Sequence, residues 1–163
     1  MTTFVSLGNA CQPFPRLLEA IYGIQEKLPH PIIVQHGYTP CSYQGLEALP
    51  FVDMPTFESL IARAQVLILH AGAGATLHAI RAGKKPILVP RRACFGEHVN
   101  DHQLEFAHQL AMTGRVIFVE ELQELANAVT QVHDVPSQES FPEPVLVGEI
   151  TKVLADINKQ LLA

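Results

Sequence analysis

Two kinds of apolar pattern alternate along the chain. In the first, a few apolar residues follow one another without interruption, which predicts a strand covered on both faces, as in a parallel sheet. In the second, apolar residues recur every three or four positions, which predicts an amphipathic helix. The predicted strands are residues 4–7, 32–35, 66–69, 87–89 and 116–119, with a weaker sixth near residues 49–52.

The helical segments fill the intervals between these strands, and their ends carry residues that usually begin or end helices. Pro29 is expected to end the first helix, and Thr56 is expected to cap the second. The third helix is predicted to start just after residues 72–75. Asn100 and Gln103 resemble a capping box at the start of the fourth.

Strands alternating with helices over 163 residues predict a single α/β domain with a doubly wound, mostly parallel six-stranded sheet. The tract 134–144 is rich in proline and acidic residues and is expected to be a linker, followed by a C-terminal helix over residues 145–162. Ligands bind such sheets at the carboxyl ends of the strands. The predicted site therefore lies in the loops that follow Leu7, Gln35, Leu69, Val89 and Val119.

Charge and cysteine content narrow the function classes. The chain carries 11 Lys and Arg residues against 16 Asp and Glu residues, a formal charge of −5, which argues against nucleic acid or an anionic membrane surface as the main partner. Its three cysteines are widely spaced and odd in number, as expected of reduced thiols in the cytosol. Neither a run of about 18 apolar residues nor a signal-peptide pattern occurs, so a cytoplasmic protein is expected.

The loop after the fourth strand, residues 70–77, carries two glycines at the predicted start of a helix. Gly72 and Gly74 would let the backbone approach a ligand, and the helix start offers unpaired N–H groups with a positive dipole end. A diphosphate suits that position, and Thr76 would add a hydroxyl. The pair is also explained by tight packing without a ligand. A dinucleotide fits less well, because no acidic residue stands about 20 positions after Gly74.

The loop after the fifth strand, residues 90–103, combines basic and polar residues. Arg91 and Arg92 are placed to meet a phosphate, and the polar side chains suit sugar hydroxyls. A solvated loop with an ordinary surface charge cluster is the other interpretation. A metal site is not expected, because the predicted helix start falls between His98 and His102 and would separate them.

The loop after the first strand, residues 8–14, is expected either to reach the same ligand from a second side or to be a plain turn. His36 and His70 each end a strand. Each is therefore expected to be buried and hydrogen-bonded or to contact the ligand.

Three motifs in the middle of the chain resemble the C-terminal, donor-binding half of family 28 glycosyltransferases, which have the GT-B fold. The motif H-A-G-x-G-x-x-L spans residues 70–77, G-K-x-P-I-L-V-P-R-R spans 83–92, and G-E-H-x-N-D-H-Q spans 96–103. The residues in these motifs are most similar to those of PssE-type split exopolysaccharide glycosyltransferase subunits. A looser likeness extends over residues 4–132.

This resemblance implies a nucleotide-sugar-binding domain over residues 1–163 and a UDP-sugar donor, used without cofactor or metal. Inverting transfer would pass a hexose, hexuronic acid or N-acetylhexosamine to a lipid-linked saccharide in surface polysaccharide synthesis. Glu97 and His98 are the catalytic candidates. His78 stands where several relatives place a glutamate that binds the ribose. The implied donor-binding residues are Gly8, Asn9, His70, Gly72, Ala73, Gly74, Ala75, Thr76, His78, Arg91, Asn100, Asp101, His102 and Gln103.

The resemblance also implies a second chain, because 163 residues amount to about half of a GT-B enzyme. A membrane-anchored subunit would bind the lipid-linked acceptor and hold this chain at the inner face of the membrane. Without that partner the chain is expected to self-associate. Two alternatives remain open: a non-catalytic nucleotide-sugar-binding or regulatory module, and an enzyme similar to UDP-sugar epimerases.

Overall fold

The computed structural model describes residues 1–133 and 143–161, and within these ranges it contains six strands and six α-helices. The strands are β1 (Thr2–Ser6), β2 (Ile32–Gln35), β3 (Leu46–Leu49), β4 (Ala64–His70), β5 (Ile87–Val89) and β6 (Ile117–Phe118). The helices are α1 (Pro15–Gly23), α2 (Met54–Arg63), α3 (Ala73–Arg81), α4 (His102–Ala111), α5 (Leu125–His133) and α6 (Glu143–Leu161).

The strands form one sheet in the order β3-β2-β1-β4-β5-β6, and every neighbouring pair is parallel. This confirms the doubly wound α/β fold that the apolar runs predict. The chain order reverses between β1 and β4, and such a switch point is where doubly wound sheets bind ligands. Ser6 ends β1 there, opposite Gln35 of β2 on one side and Leu69 of β4 on the other.

Helices cover both faces of the sheet. Alternate side chains of a strand point to opposite faces, so Phe4 packs with α2, α3, α4 and α6, whereas Val5 packs with α1 and α5. In β4, Leu67 packs in the same core as Phe4, and Ile68 packs in the same core as Val5. Burial on both faces is the physical reason for the continuous apolar runs.

The edge strand β3 differs in position from its prediction. The sequence places it near residues 49–52, but it spans Leu46–Leu49, and the chain then leaves the sheet at Pro50. The side chains of Glu47 and Ala48, which point to opposite faces of the sheet, are both exposed. An exposed strand has no need of an apolar run, which is why the apolar pattern selected the wrong residues.

Three helix starts also differ from their predictions. Asp53, not Thr56, caps α2, since its carboxylate accepts from the Thr56 N–H at 2.9 Å. The expected capping box at Asn100 and Gln103 is wrong, because α4 begins at His102 and the side chain of its N-cap residue, Asp101, makes no capping hydrogen bond. Helix α3 begins at Ala73, so that Gly74 lies in its first turn.

The C-terminal helix α6 spans Glu143–Leu161, close to the predicted 145–162, and packs against α3 and α4. Ile150 is 4% exposed in that contact, and Glu149 Oε2 pairs with Arg115 Nε at 2.7 Å. Residues 134–142 of the predicted linker 134–144 lie outside the described residues. Within residues 1–133 and 143–161, no helix combines the length and the apolar character needed to span a bilayer.

Candidate functional site

A cleft of about 350 Å³ opens at the switch point of the sheet, above the carboxyl ends of β1, β2 and β4. Its wall combines the first turn of α3 with the loop after β1 and the start of α2. The predicted position of the site at the strand ends therefore corresponds to a cavity. The lining residues are Ser6, Gly8, Asn9, Gln35, Val52, Met54, Phe57, His70, Gly72, Gly74, Ala75 and His78.

The first turn of α3 presents its backbone to this cleft. The first bond between turns runs from the Thr76 N–H to the Gly72 carbonyl, so the N–H groups of residues 73–75 have no acceptor within the helix. A Cβ atom added at Gly74 would meet no heavy atom within 4 Å. An anion can therefore approach these N–H groups closely, at the positive end of the helix dipole.

Thr76 is placed differently from what the sequence suggests. It is fully buried, and its hydroxyl donates to the Gly72 carbonyl at 2.8 Å. Neither Thr76 nor Ala73 belongs to the lining of the cleft. The Thr76 hydroxyl therefore stabilises the helix start instead of supplying a donor to a ligand.

The His70 ring fits between two glycines. A Cβ atom at Gly8 would lie 2.6 Å from Nε2, and one at Gly72 would also overlap that atom. Burial, together with the positive charge of Arg91, lowers the pKa of His70 to about 4. The imidazole is therefore neutral near pH 7. Nδ1 lies 3.4 Å from the Ser6 carbonyl, so a proton on Nδ1 leaves Nε2 as an acceptor.

Polar side chains that the sequence analysis did not single out form the floor of the cleft. The Ser6 hydroxyl donates to Gln35 Oε1 at 2.6 Å, and Gln35 Nε2 donates to Asn9 Oδ1 at 3.0 Å. Both Ser6 and Gln35 are buried at the last position of a strand. A polar residue that ends an apolar strand run is the signal that could have revealed them.

An apolar rim closes the side of the cleft near α2. Val52, Met54 and Phe57 line it, and no motif in the sequence marks them. His78 faces the same side, with Nδ1 3.1 Å from Glu58 Oε1 and its ring edge-on to Phe57 at 6.3 Å. His78 therefore lines the cleft, and its contact with the ligand stays a prediction.

Arg91 is not available to a phosphate, contrary to its sequence-based interpretation. It is 1% exposed, and its guanidinium donates to three backbone carbonyls, those of Leu7, Gln12 and Glu97, at 2.6–3.2 Å. The group also lies 5.0 Å from the centre of the Phe14 ring. Burial lowers the pKa of Arg91. Its place is structural: it joins the loop after β5 to the loop after β1.

The carboxylate of the catalytic candidate Glu97 is likewise held by hydrogen bonds to other residues of the chain. It is 2% exposed and accepts from Arg16 Nε and Nη2, both at 2.9 Å, and from the Arg92 N–H at 3.0 Å. His98 Nδ1 lies 3.1 Å from Asn100 Oδ1. Neither residue lines the cleft. Glu97 therefore holds the loop in place through a partly buried ion pair with Arg16.

The resemblance also implies that four polar residues in this loop and at the start of α4 bind the donor: Asn100, Asp101, His102 and Gln103. Asn100 Oδ1 accepts from the His102 N–H at 3.2 Å, and Asp101 Oδ1 accepts from the Ala93 N–H at 2.8 Å. Gln103 Oε1 accepts from the Arg91 N–H at 3.2 Å. None of the four lines the cleft. In the described part of the chain, no group of three or more His, Cys, Asp or Glu residues is arranged to hold a metal ion.

Comparisons with solved structures agree with this fold. The chain is similar to the calicheamicin glycosyltransferase CalG4 (TM-score 0.63, 18% identity) and to the glycosyltransferase of kitacinnamycin (TM-score 0.63, 16% identity). In each case 97% of this chain is covered, but it spans only 38% and 39% of those chains. It is also similar to ALG13 (TM-score 0.56, 16% identity), with 86% of this chain and 89% of that chain covered. These TM-scores establish the shared fold.

The sequence itself identifies the family. No curated protein sequence gave a significant match. Residues 11–157, however, match the glycosyltransferase family 28 C-terminal domain. That match covers most of the chain and includes α3, the loop after β5 and the start of α4. The chain therefore belongs to the glycosyltransferase family 28 C-terminal domain family.

Proposed function

We propose that this chain binds a UDP-sugar in the cleft and is the donor-binding subunit of a split, inverting glycosyltransferase of the PssE type. The observation that carries the proposal is the first turn of α3, whose unpaired N–H groups face a cavity with open space above Gly74. That arrangement suits the diphosphate of a nucleotide donor and would stabilise the departing UDP without a metal ion.

The sugar is expected to extend from the diphosphate toward the loop after β5. One observation supports this direction. Gln103 Oε1 is already taken by the Arg91 N–H, which leaves the Gln103 amide nitrogen as a donor for a sugar hydroxyl.

The acceptor side belongs to a second chain in this proposal. That chain is anchored in the membrane, binds a lipid-linked saccharide and holds this domain at the inner face of the bilayer. It also supplies the general base, because Glu97 is tied to Arg16 and the Arg92 N–H. His98 is the remaining candidate from this chain. The product would be an intermediate of surface polysaccharide synthesis.

The engagement of Glu97 also favours a second candidate function, a donor-binding module without transfer activity. The two candidates differ in one outcome. If the assembled pair binds UDP-sugar and transfers no sugar to a lipid-linked acceptor, the module is correct. Transfer by the assembled pair excludes it.

Calorimetric titration of the isolated chain tests the donor site. UDP is expected to bind more tightly than UMP, because the helix start contacts a second phosphate, and EDTA is expected to leave both affinities unchanged. A panel of UDP-sugars then identifies the donor. Equal affinity for UDP and UMP would contradict the placement of the diphosphate, and loss of binding in EDTA would indicate a metal-dependent site.

A further inference from the structure

A relay of three polar side chains crosses the floor of the cleft from β1 to the loop after β1. The parallel register of β1 and β2 places Ser6 opposite Gln35, and the Gln35 side chain then reaches Asn9. Ser6 is 1% exposed and Gln35 is 3% exposed, whereas Asn9 is exposed at the cleft. The relay therefore links a buried strand end to a residue that a ligand can touch.

The backbone fixes the direction of every hydrogen bond in this relay. One end of the Gln35 amide lies 3.2 Å from the Pro50 carbonyl and 3.5 Å from the Gly8 carbonyl, and carbonyls only accept, so this end is Nε2. Its other end, Oε1, must then accept, and the Ser6 hydroxyl donates to it. The Asn9 atom 3.0 Å from Gln35 Nε2 must also be an acceptor, which makes it Oδ1.

The orientation of Asn9 follows. Because Oδ1 is held by Gln35, the two donors of Nδ2 are directed away from the relay, and no hydrogen bond of Nδ2 occurs within the part of the chain that the structure describes. Asn9 lines the same cleft as Gly72, Gly74 and Ala75 of the α3 start. We propose that Gln35 is a positioning residue that turns the Asn9 amide so that Nδ2 donates to the diphosphate of the nucleotide. This inference rests on the proposed function.

A double-mutant cycle tests the proposal with UDP and uridine as probes. Asn9→Ala removes the donor, and Gln35→Met removes the positioning group with little change in volume. Each is expected to weaken UDP binding by about tenfold, the effect of one hydrogen bond to a charged group. The double variant is expected to bind UDP no more weakly than Asn9→Ala alone, since Gln35 acts through Asn9. Uridine, which has no phosphate, should bind all variants equally.

Two further variants test whether the loss of UDP binding is specific to the relay. Gln44→Met makes the same change at an exposed position in the connection between β2 and β3, and UDP affinity should stay at the wild-type value. Ser6→Ala releases Gln35 Oε1 and should weaken UDP binding a few-fold, with no effect once Asn9 is alanine. If a thermal melt shows that Gln35→Met does not fold, the double-mutant cycle of Ser6→Ala with Asn9→Ala tests the positioning role of Gln35 in its place.

Losses that multiply in the double variant, or an equal loss of uridine binding, would overturn the positioning role, because general damage to the site would then explain them. Wild-type UDP affinity in Gln35→Met would overturn it as well. If the wild-type chain binds no UDP, the proposed function fails together with this inference. Normal UDP binding with unchanged variants contradicts the inference alone.

Discussion

At Gly74, fold stability and ligand binding are expected to respond to one substitution in opposite directions. The residue lies in the first turn of α3, and a Cβ atom there would meet nothing within 4 Å. Gly74→Ala should raise the free energy of unfolding by about 0.5–1 kcal/mol, since alanine favours the helix. The same Cβ stands where the diphosphate is proposed to bind, so UDP affinity should fall. Gly74→Val should abolish UDP binding.

A second helical glycine provides the control. Gly148 in α6 is exposed, and a Cβ atom there would also meet nothing within 4 Å. Gly148→Ala should give a similar gain in stability and leave UDP affinity unchanged. Thermal unfolding and calorimetric titration measure the two quantities. Wild-type UDP affinity in Gly74→Val would mean that the ligand does not use this helix start.

His70 makes a pH-dependent contribution to stability. Burial lowers its pKa in the folded chain to about 4, from an ordinary value of 6.5, so the unfolded chain binds the proton more readily. The contribution is complete above about pH 6.5 and is lost as the pH falls toward about 4. Its size is on the order of 3 kcal/mol. Urea unfolding between pH 4 and 7 should show a steeper loss for wild type than for His70→Asn. Parallel pH profiles would contradict a lowered pKa for the His70 imidazole.

Of the fourteen donor-binding residues that the resemblance implies, seven line the cleft, and none of these seven comes from the loop after β5. Arg91 and Glu97 belong to a polar loop, and both were expected to serve the ligand. Each instead bonds to groups far along the chain, Arg91 to the Leu7 carbonyl and Glu97 to Arg16. Local sequence cannot reveal a partner more than 80 positions away. Composition alone does not separate a charged residue that binds a ligand from one that holds two loops together.

At the scale of helices and strands, prediction succeeded where burial is uniform. β1, β2, β4 and β5 lie inside the sheet, with apolar cores on both sides, so their apolar runs were recognised within a few residues. The edge strand β3 was displaced by three positions because its exposed side chains give no such signal. Helix starts were less predictable: Asn100 accepts from the N–H of His102, the first residue of α4, but Gln103 accepts from the Arg91 N–H, so the two do not form a capping box.

The packing of α6 leads to a prediction at the scale of the element. Ile150 faces α3 and α4 and is 4% exposed, whereas Leu154, one turn later, is 37% exposed. Ile150→Ala should lower the free energy of unfolding by about 2–4 kcal/mol, because it leaves a cavity in the core. Leu154→Ala, the matched control, should lower it by less than about 1 kcal/mol. Equal losses in denaturant unfolding would mean that α6 does not pack as described.

At the scale of the whole molecule, the proposed function requires a second chain. The chain spans 38% and 39% of the two glycosyltransferases CalG4 and that of kitacinnamycin, which share its fold. With UDP-sugar and a lipid-linked acceptor, the isolated chain is expected to form no product. Addition of the membrane-anchored acceptor-binding subunit should restore transfer, measured as radiolabelled sugar in the lipid fraction. Robust turnover by this chain alone would contradict the split arrangement.

The His70 ring between Gly8 and Gly72 has a consequence for how this family can diverge. Gly8 has a φ of +80°, so it stays glycine whatever its neighbour. Gly72 has a φ of −81°, which any residue adopts, and the three atoms nearest to a Cβ added there all belong to the His70 imidazole ring. A homologue with a residue smaller than histidine at the end of β4 is therefore free to carry alanine or serine two positions later. Substitutions at these two positions should co-vary because of ring packing, independently of the donor that each homologue uses.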